Sequence, residues 1–283
     1  MSLTPARSWR LISPAACAVV VFLLFASLVL HAQPRAQNDP PPDSAAGATA
    51  PAESSSAAAP ASRDVSASLL PANFLRDQEN LWLFPRQLAK GQHWGPTVTV
   101  VAATLALLSA DPHVQPYFAH TTAFRGFDRV FSSRITGVET LAVPAAFYAI
   151  GFKRHDSYMQ KTALFAGEAL ADVAVVRAVM NSLSNRWRPQ DVFNRRSYSD
   201  TFFHNVSHIG SSFPSGHTIA AVAVATIIAR RYRSHRWVPW AAYGLAGTIG
   251  LSRISLRAHF PSDVFLGTVL GYAIARFDVL QNQ

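Results

Sequence analysis

The chain has 283 residues, of which 49% are hydrophobic and only 14% are charged, and its formal net charge is +9. Soluble domains carry about 25% charged residues, so this composition argues against an ordinary hydrophilic protein and favours a membrane protein or an unusually apolar helical domain. The positive charge favours an anionic membrane surface or substrate over nucleic acid, because no nucleic-acid motif is present. The single cysteine, Cys17, excludes an intramolecular disulfide and a cysteine-rich metal site.

The first 67 residues differ in composition from the rest of the chain. Arg7 and Arg10 precede an apolar run at 15–30, which predicts that residues 1–32 are a signal peptide, with an N-terminal membrane anchor as the alternative. Residues 33–67 are rich in Ala, Pro and Ser, a composition typical of a disordered linker. We therefore expect one domain at 68–283.

That domain is predicted to be an all-α bundle of about six core helices, associated with a membrane. Small residues are frequent in its apolar segments and strand-type alternation is absent, which favours helices. The segments are short or interrupted for a bilayer span of about 20 residues. An amphipathic helix at 74–89, broken near Pro85, is predicted to precede them. The apolar segments are 94–110, 136–152, 162–183, 218–229, 238–251 and 264–277.

Basic residues predict which ends of these segments face the cytoplasm. Lys153, Arg154 and the basic run at 230–236 mark cytoplasmic ends by the positive-inside rule. If each apolar segment crosses the membrane once, counting the crossings back from these ends puts Lys90 in the cytoplasm. A leader inserted with Arg7 and Arg10 in the cytoplasm would instead place Lys90 on the opposite side. Three explanations stay open: the bundle does not span fully, the start of the domain re-enters the membrane, or the leader is not a leader.

Three polar stretches lie at segment boundaries on the side opposite the basic ends. In the last of them, His259 comes four residues before Asp263, whose carboxylate could hold one ring nitrogen and leave the other free to attack. Arg253 comes six residues before His259 and offers a planar, permanently charged fork for an oxyanion. Alone, the pair would equally fit a helix-start carboxylate beside a surface histidine.

The middle stretch, 214–217, reads Pro-Ser-Gly-His and opens an apolar segment. Ser215 suits a helix N-cap, and the first-turn N–H groups make an anion site that Gly216 allows an oxyanion to approach. His217 could donate a proton to the same anion. The first stretch contributes Arg188, followed by Pro189, which we expect to end the third segment's helix. Alone, these stretches would indicate a capped helix and an interfacial arginine.

Together the three stretches resemble the signature motifs of the type 2 phosphatidic acid phosphatase (PAP2) superfamily, which includes bacterial non-specific acid phosphatases and vanadium haloperoxidases. The family pattern is Lys, six residues, Arg-Pro; then Pro-Ser-Gly-His; then Ser-Arg, five residues, His, three residues, Asp. The second and third motifs are complete here. The first has Asn181 where the lysine belongs.

The resemblance implies a helical bundle that hydrolyses phosphate esters through a phosphohistidine. His259 would be the nucleophile, Asp263 would orient it, and His217 would protonate the leaving oxygen. The phosphoryl oxygens would be bound by Arg188, Arg253, Ser215 and Gly216. No metal or other cofactor is expected; vanadate would be needed only in a haloperoxidase.

Asn181 is the main departure from the family pattern, because it can donate a hydrogen bond but carries no charge. Arg177 lies one helical turn earlier on the same face, and we expect it to supply the missing cation. Glu168 and Asp172 are interpreted as buried partners of Arg177. His204 and His208 have helical metal-ligand spacing without a third ligand, which favours loop histidines.

These features predict a phosphatase acting on a phosphorylated lipid at the periplasmic face of a bacterial inner membrane. The alternatives are a soluble periplasmic acid phosphatase acting on small phosphate esters, a vanadium-dependent haloperoxidase, and a non-catalytic phosphate-binding membrane protein.

Overall fold

The computed structural model describes residues 63–131, 133–192, 198–204 and 211–280. The predicted leader, most of the predicted linker and His208 lie outside these residues. All regular secondary structure in the described part of the chain is helical, so the all-α prediction is confirmed.

The helices follow the predicted segments but extend beyond them at most ends, and two short helices were not predicted. Their bounds are α1 Leu70–Ala89, α2 Trp94–His120, α3 Arg125–Val130, α4 Ser133–Lys153, α5 Ser157–Ser184, α6 Pro189–Val192, α7 Gly216–Arg231, α8 Trp237–Ser255 and α9 Pro261–Ala273, which continues as a π-helical turn at Ile274–Val279.

Helix α7 is the centre of the bundle, and α4, α5, α8, α9 and the π-helical turn all pack on it. Its residues from 218 to 229 are buried except Ala220. Helix α9 can approach closely because Gly271 faces the α7 backbone: a Cβ there would lie 2.3 Å from the carbonyl oxygen of Ile219. This contact packs the last turn of α9 closely on the first turns of α7.

Two predicted boundaries of local structure were wrong. Helix α1 runs unbroken through Pro85, because a proline removes one N–H and the flanking turns remain hydrogen-bonded. Helix α5 ends at Ser184 rather than at Pro189, because Asn185 takes a left-handed conformation with φ of 40°. Ordered packing also begins before the predicted domain start, since Val65 is buried in the main core.

Helix α2 has its apolar side outside and its polar side inside. Trp94, Val101 and Leu105 are more than half exposed, whereas Asp111 and Gln115 are fully buried. Within the described residues α2 is the one helix long and apolar enough to cross a membrane by length and composition, and 6% of its most apolar window is buried.

The bundle has two chemically different ends. Helices α5 and α7 are antiparallel, because Tyr158 at the start of α5 donates a hydrogen bond to the Arg231 carbonyl, while Arg177 near its end lies against Gly216. All three motif stretches lie at the end where α7 begins. The basic cluster that includes Arg230 and Arg231 lies at the other end.

Candidate active site

Backbone hydrogen bonds join the three motif stretches. The Ser215 N–H donates to the Asp263 carbonyl at 3.1 Å, which connects the second motif to the third. The Gln190 N–H, just after the first motif, donates to the Arg257 carbonyl at 3.1 Å. The sequence separates these motifs by tens of residues, and the fold brings them to one place.

His259 is held by a backbone carbonyl. Its Nδ1 lies 2.7 Å from the Ser212 carbonyl oxygen, and the side chain is buried. A carbonyl oxygen can only accept, so Nδ1 must carry the proton of the neutral ring. The lone pair of the neutral imidazole is therefore on Nε2.

The surroundings of His259 favour its neutral form. Burial lowers the pKa of the His259 imidazole below its ordinary value, and the nearby Arg188 cation acts in the same direction. The Asp263 carboxylate opposes this shift, but burial has the larger effect. A neutral imidazole is the form that can act as a nucleophile.

Asp263 is arranged differently from the predicted orienting carboxylate. Its Oδ2 lies 3.8 Å from His259 Nδ1, beyond hydrogen-bond distance, because the Ser212 carbonyl occupies that position. The carboxylate instead accepts hydrogen bonds from the Ser212 hydroxyl, the Phe260 N–H at 2.8 Å and Arg186 Nη1 at 2.5 Å. Asp263 therefore contributes negative charge near the ring and fixes the loop that carries it.

Arg186 is the buried centre of this network. Its Nη1 contacts Asp263, and its Nη2 donates to Asp111 of α2 at 2.7 Å. The guanidinium also packs on the rings of Phe202 and Phe260, with its Cζ 4.5 and 4.0 Å from their centroids. One arginine thus neutralises two buried carboxylates and ties α2 to the third motif.

The second motif forms the start of α7. Ser215 is at the N-cap position, as predicted, but its hydroxyl pairs with the Thr218 hydroxyl at 2.9 Å and does not cap the helix. Gly216 has no room for a side chain, because a Cβ would lie 2.3 Å from Nε of Arg177. The Arg177 guanidinium is thereby placed against the first turn of α7, where we expected a substitute cation.

His217 and Asn181 lie near this turn. His217 Nε2 is 3.4 Å from the position of a Cβ on Gly137, so its ring lies against α4. The Asn181 side-chain oxygen is buried and has no hydrogen-bond partner among the described residues. The position of the family lysine therefore holds an unsatisfied polar group close to Arg177.

The two other predicted phosphate ligands are placed differently. Arg188 is partly exposed after α5 and is close enough to influence both His259 and Arg177 electrostatically. Arg253 is fully buried at the end of α8, and its guanidinium donates to the Phe131 carbonyl and to the Ser252 hydroxyl.

The predicted pairing of Arg177 with Glu168 and Asp172 was wrong. Glu168 binds Arg63, and Asp172 accepts a hydrogen bond from Gln78 at 2.9 Å. Both partners come from the start of the domain, which the sequence pattern did not place beside α5. His204 stacks on Trp187 with ring centroids 3.6 Å apart, and no metal-binding cluster occurs among the described residues.

Four residues of the site were not predicted: Asp111, Gln115, Arg186 and Ser212. The Gln115 side chain donates a hydrogen bond to the His259 carbonyl at 3.1 Å, so α2 contacts the loop between α8 and α9 that carries His259. A signal was available for Asp111, because a carboxylate inside a long apolar helix normally has a buried partner. The predicted segment ended at Ala110 and so left Asp111 outside the helix.

Comparison with known proteins gives matches to both sequence and structure. The family model of the PAP2 superfamily matches residues 162–282. Lipid A 1-phosphatase of Porphyromonas gingivalis is 40% identical over 65 residues, which are 23% of this chain and 15% of that protein. Bacitracin transport permease protein BcrC of Bacillus licheniformis is 28% identical over 114 residues, 40% of this chain and 52% of that protein. The matches span about half, or less, of these relatives.

Among solved structures, the crystal structure of a transmembrane PAP2 type phosphatidylglycerolphosphate phosphatase from Bacillus subtilis aligns with a TM-score of 0.39 and 22% identity, over 71% of this chain and 92% of that one. The family match includes every motif residue from Asn181 to Asp263. The resemblance to the PAP2 superfamily that the motifs predicted is therefore confirmed by the family model over residues 162–282.

Proposed function

We propose that this protein is a phosphatase that removes phosphate from a lipid phosphate or diphosphate through a phosphohistidine at His259. The hydrogen bond from His259 Nδ1 to the Ser212 carbonyl carries the proposal, because it leaves the lone pair on Nε2. A buried neutral imidazole with one nitrogen fixed is suited to nucleophilic attack.

In the first step, His259 Nε2 attacks phosphorus while the bond to the leaving oxygen breaks. His217 protonates that oxygen and releases the alcohol or the phosphorylated leaving group. In the second step, His217 takes a proton from water, the water oxygen attacks phosphorus, and the P–N bond breaks. Inorganic phosphate leaves and the imidazole of His259 is restored.

Negative charge on the phosphoryl oxygens is offset by protein groups and needs no metal in this proposal. Arg177, Arg188, Arg253 and the first-turn N–H groups of α7 are the groups that would provide positive charge. Arg177 takes the role of the lysine that Asn181 replaces, since its guanidinium lies at Gly216.

A lipid substrate is supported by the exterior of α2. Helix α2 has apolar residues on its exposed side and polar residues on its buried side, and this distribution suits a helix that faces acyl chains. The similarity to lipid A 1-phosphatase points the same way. The basic cluster at the far end of α7 favours an orientation with that end in the cytoplasm and the site at the periplasmic face of the inner membrane.

The test is phosphate release by the purified full chain, without added metal, from a lipid phosphate, a lipid diphosphate and a small aryl phosphate. We expect lipid substrates to be preferred. His259→Asn should lower kcat to the assay limit, a loss on the order of 10⁶-fold where a hydrolase loses its nucleophile. The matched control is His113→Asn, because His113 is an exposed histidine of α2.

Equal activity of His259→Asn and wild type would overturn the phosphohistidine proposal. Preference for the aryl phosphate would instead favour a broad-specificity acid phosphatase. Phosphohistidine is labile in acid and stable in base. Protein trapped with a ³²P-labelled phosphoryl group should therefore lose the label on mild acid treatment, and His259→Asn should not become labelled.

A further inference from the structure

A second basic site lies at the end of α7 remote from the motifs. A partly open cavity of about 140 Å³ lies where the start of α5, the end of α7 and the π-helical turn meet. Because water occupies about 30 Å³ per molecule, the cavity has room for a small anion with a few waters. Its lining residues are Tyr158, Arg230, Arg231, Arg233, Arg276 and Leu280.

The lining contains four guanidinium groups and no carboxylate. Among the described residues, Arg230, Arg233 and Arg276 make no salt bridge. Nε of Arg276 is buried without a hydrogen-bond partner in the same part of the chain. Asp156, the N-cap residue of α5, accepts a hydrogen bond from the Met159 N–H with its carboxylate and does not line the cavity.

One of these arginines is fixed in position. Nε of Arg231 donates to the Thr162 hydroxyl at 2.7 Å, and its Cζ lies 4.1 Å from the Tyr158 ring centroid. Holding the guanidinium in this way reduces the entropy lost when an anion binds. The cavity is therefore partly organised before any ligand enters.

The positive-inside rule explains why basic residues lie at this end of the bundle, but it does not require them to surround one cavity. Like charges that converge in a partly buried space repel each other unless an anion joins them. The cavity is also separate from the catalytic motifs, because the 16 residues of α7 between them span about 24 Å.

We propose that this cavity binds the phosphate group of an anionic ligand, with a membrane phospholipid headgroup or free phosphate as its source. Basic pockets between helices on the cytoplasmic side suit anionic headgroups. The site does not rest on the proposed hydrolysis, because none of its residues belongs to the catalytic machinery.

The test measures lipid adducts on the purified full chain in detergent by native mass spectrometry. Phosphatidylglycerol is compared with phosphatidylcholine, and inorganic phosphate is added as a competitor. We expect wild type to prefer phosphatidylglycerol and R233Q/R276Q to bind it about 10- to 30-fold more weakly. R236Q is the matched control, because Arg236 lies at the same end but does not line the cavity, and its affinity should stay within about twofold.

R236Q and R233Q/R276Q both keep the candidate active site, so lipid bound there contributes equally to both. A difference in affinity between the two variants therefore measures binding in the cavity. R233K/R276K should retain most of the affinity, and R233Q alone gives the same comparison if the double variant does not fold. Displacement of the lipid by inorganic phosphate would identify a site that free phosphate also fills. Equal losses in R236Q and R233Q/R276Q, or equal binding of the two lipids, would overturn the proposal.

Discussion

Arg186, near the start of α7, and Arg276, near its other end, have opposite surroundings. Arg186 is 1% exposed and contacts two carboxylates, so its charge is neutralised within the fold. Arg276 shares a cavity with three other arginines and has no carboxylate partner among the described residues. The comparison separates a cation that holds a site together from cations that are available to a ligand.

The largest expected effect comes from removing the neutralised cation. Arg186→Met leaves Asp111 and Asp263 buried without a positive charge, which costs about 3–5 kcal/mol of unfolding free energy. Arg233→Met at the opposite end removes an exposed charge and should change stability by no more than about 0.5 kcal/mol. Denaturant unfolding in mild detergent measures both values.

If Arg186→Met does not fold, Asp111→Asn removes one of the two carboxylates and can be measured instead. It should destabilise less than Arg186→Met and lower kcat, because the Asp263 loop loses part of its support. Similar stabilities for Arg186→Met and Arg233→Met would contradict the distinction between the two ends.

A smaller effect is expected where Arg177 meets Gly216. Removing a charged hydrogen-bonding group from bound phosphate costs about 1.5–3 kcal/mol, so Arg177→Ala should lower kcat/KM by about 10- to 150-fold. Gly216→Ala should act through the same contact, because its methyl group would displace the guanidinium. The double variant should therefore lose little more than either single variant.

Two comparisons sharpen this prediction. Gly244→Ala is the control, because a Cβ at Gly244 meets nothing within 4 Å. Asn181→Lys in the Arg177→Ala background should recover activity by restoring the family's cation. Additive losses in the double variant, or no recovery by Asn181→Lys, would show that Arg177 does not replace the lysine.

The smallest expected effect is on pH dependence. The proposed attack by His259 requires a neutral imidazole, and burial lowers the pKa of that imidazole below its ordinary value of 6.5. The acidic limb of kcat/KM should therefore lie below pH 6.5. Because the unfolded state binds this proton first, stability should also decrease as pH falls from 6.5 towards the lowered pKa. An acidic limb at or above 6.5 would contradict the neutral, buried histidine.

Much of the fold could be predicted because each core helix is apolar over most of its length. Two predicted boundaries were wrong because each relied on a single proline. Pro85 does not break α1, and Asn185 rather than Pro189 ends α5. The short helices α3 and α6 have too few residues for a periodic pattern to emerge.

The motif residues of the site could be predicted, but their supports could not. Arg186 lies two residues before Arg188, and its role depends on Asp111, which is 75 residues away in the sequence. The carbonyl of Ser212 that holds His259 carries no signal in the identity of its side chain. Such contacts arise from packing between distant segments, which local patterns do not encode.

The contacts of α2 bear on whether the candidate active site could be transferred to another protein. The segment that matches the family begins at residue 162, whereas Asp111 and Gln115 lie upstream of it. A chimera that received only 162–282 would contain Arg186 without Asp111, one of its two carboxylate partners. The loop that carries His259 would also lack its hydrogen bond from Gln115. All three motifs lie within 162–282, but the site that they form also depends on α2, which contains no motif residue.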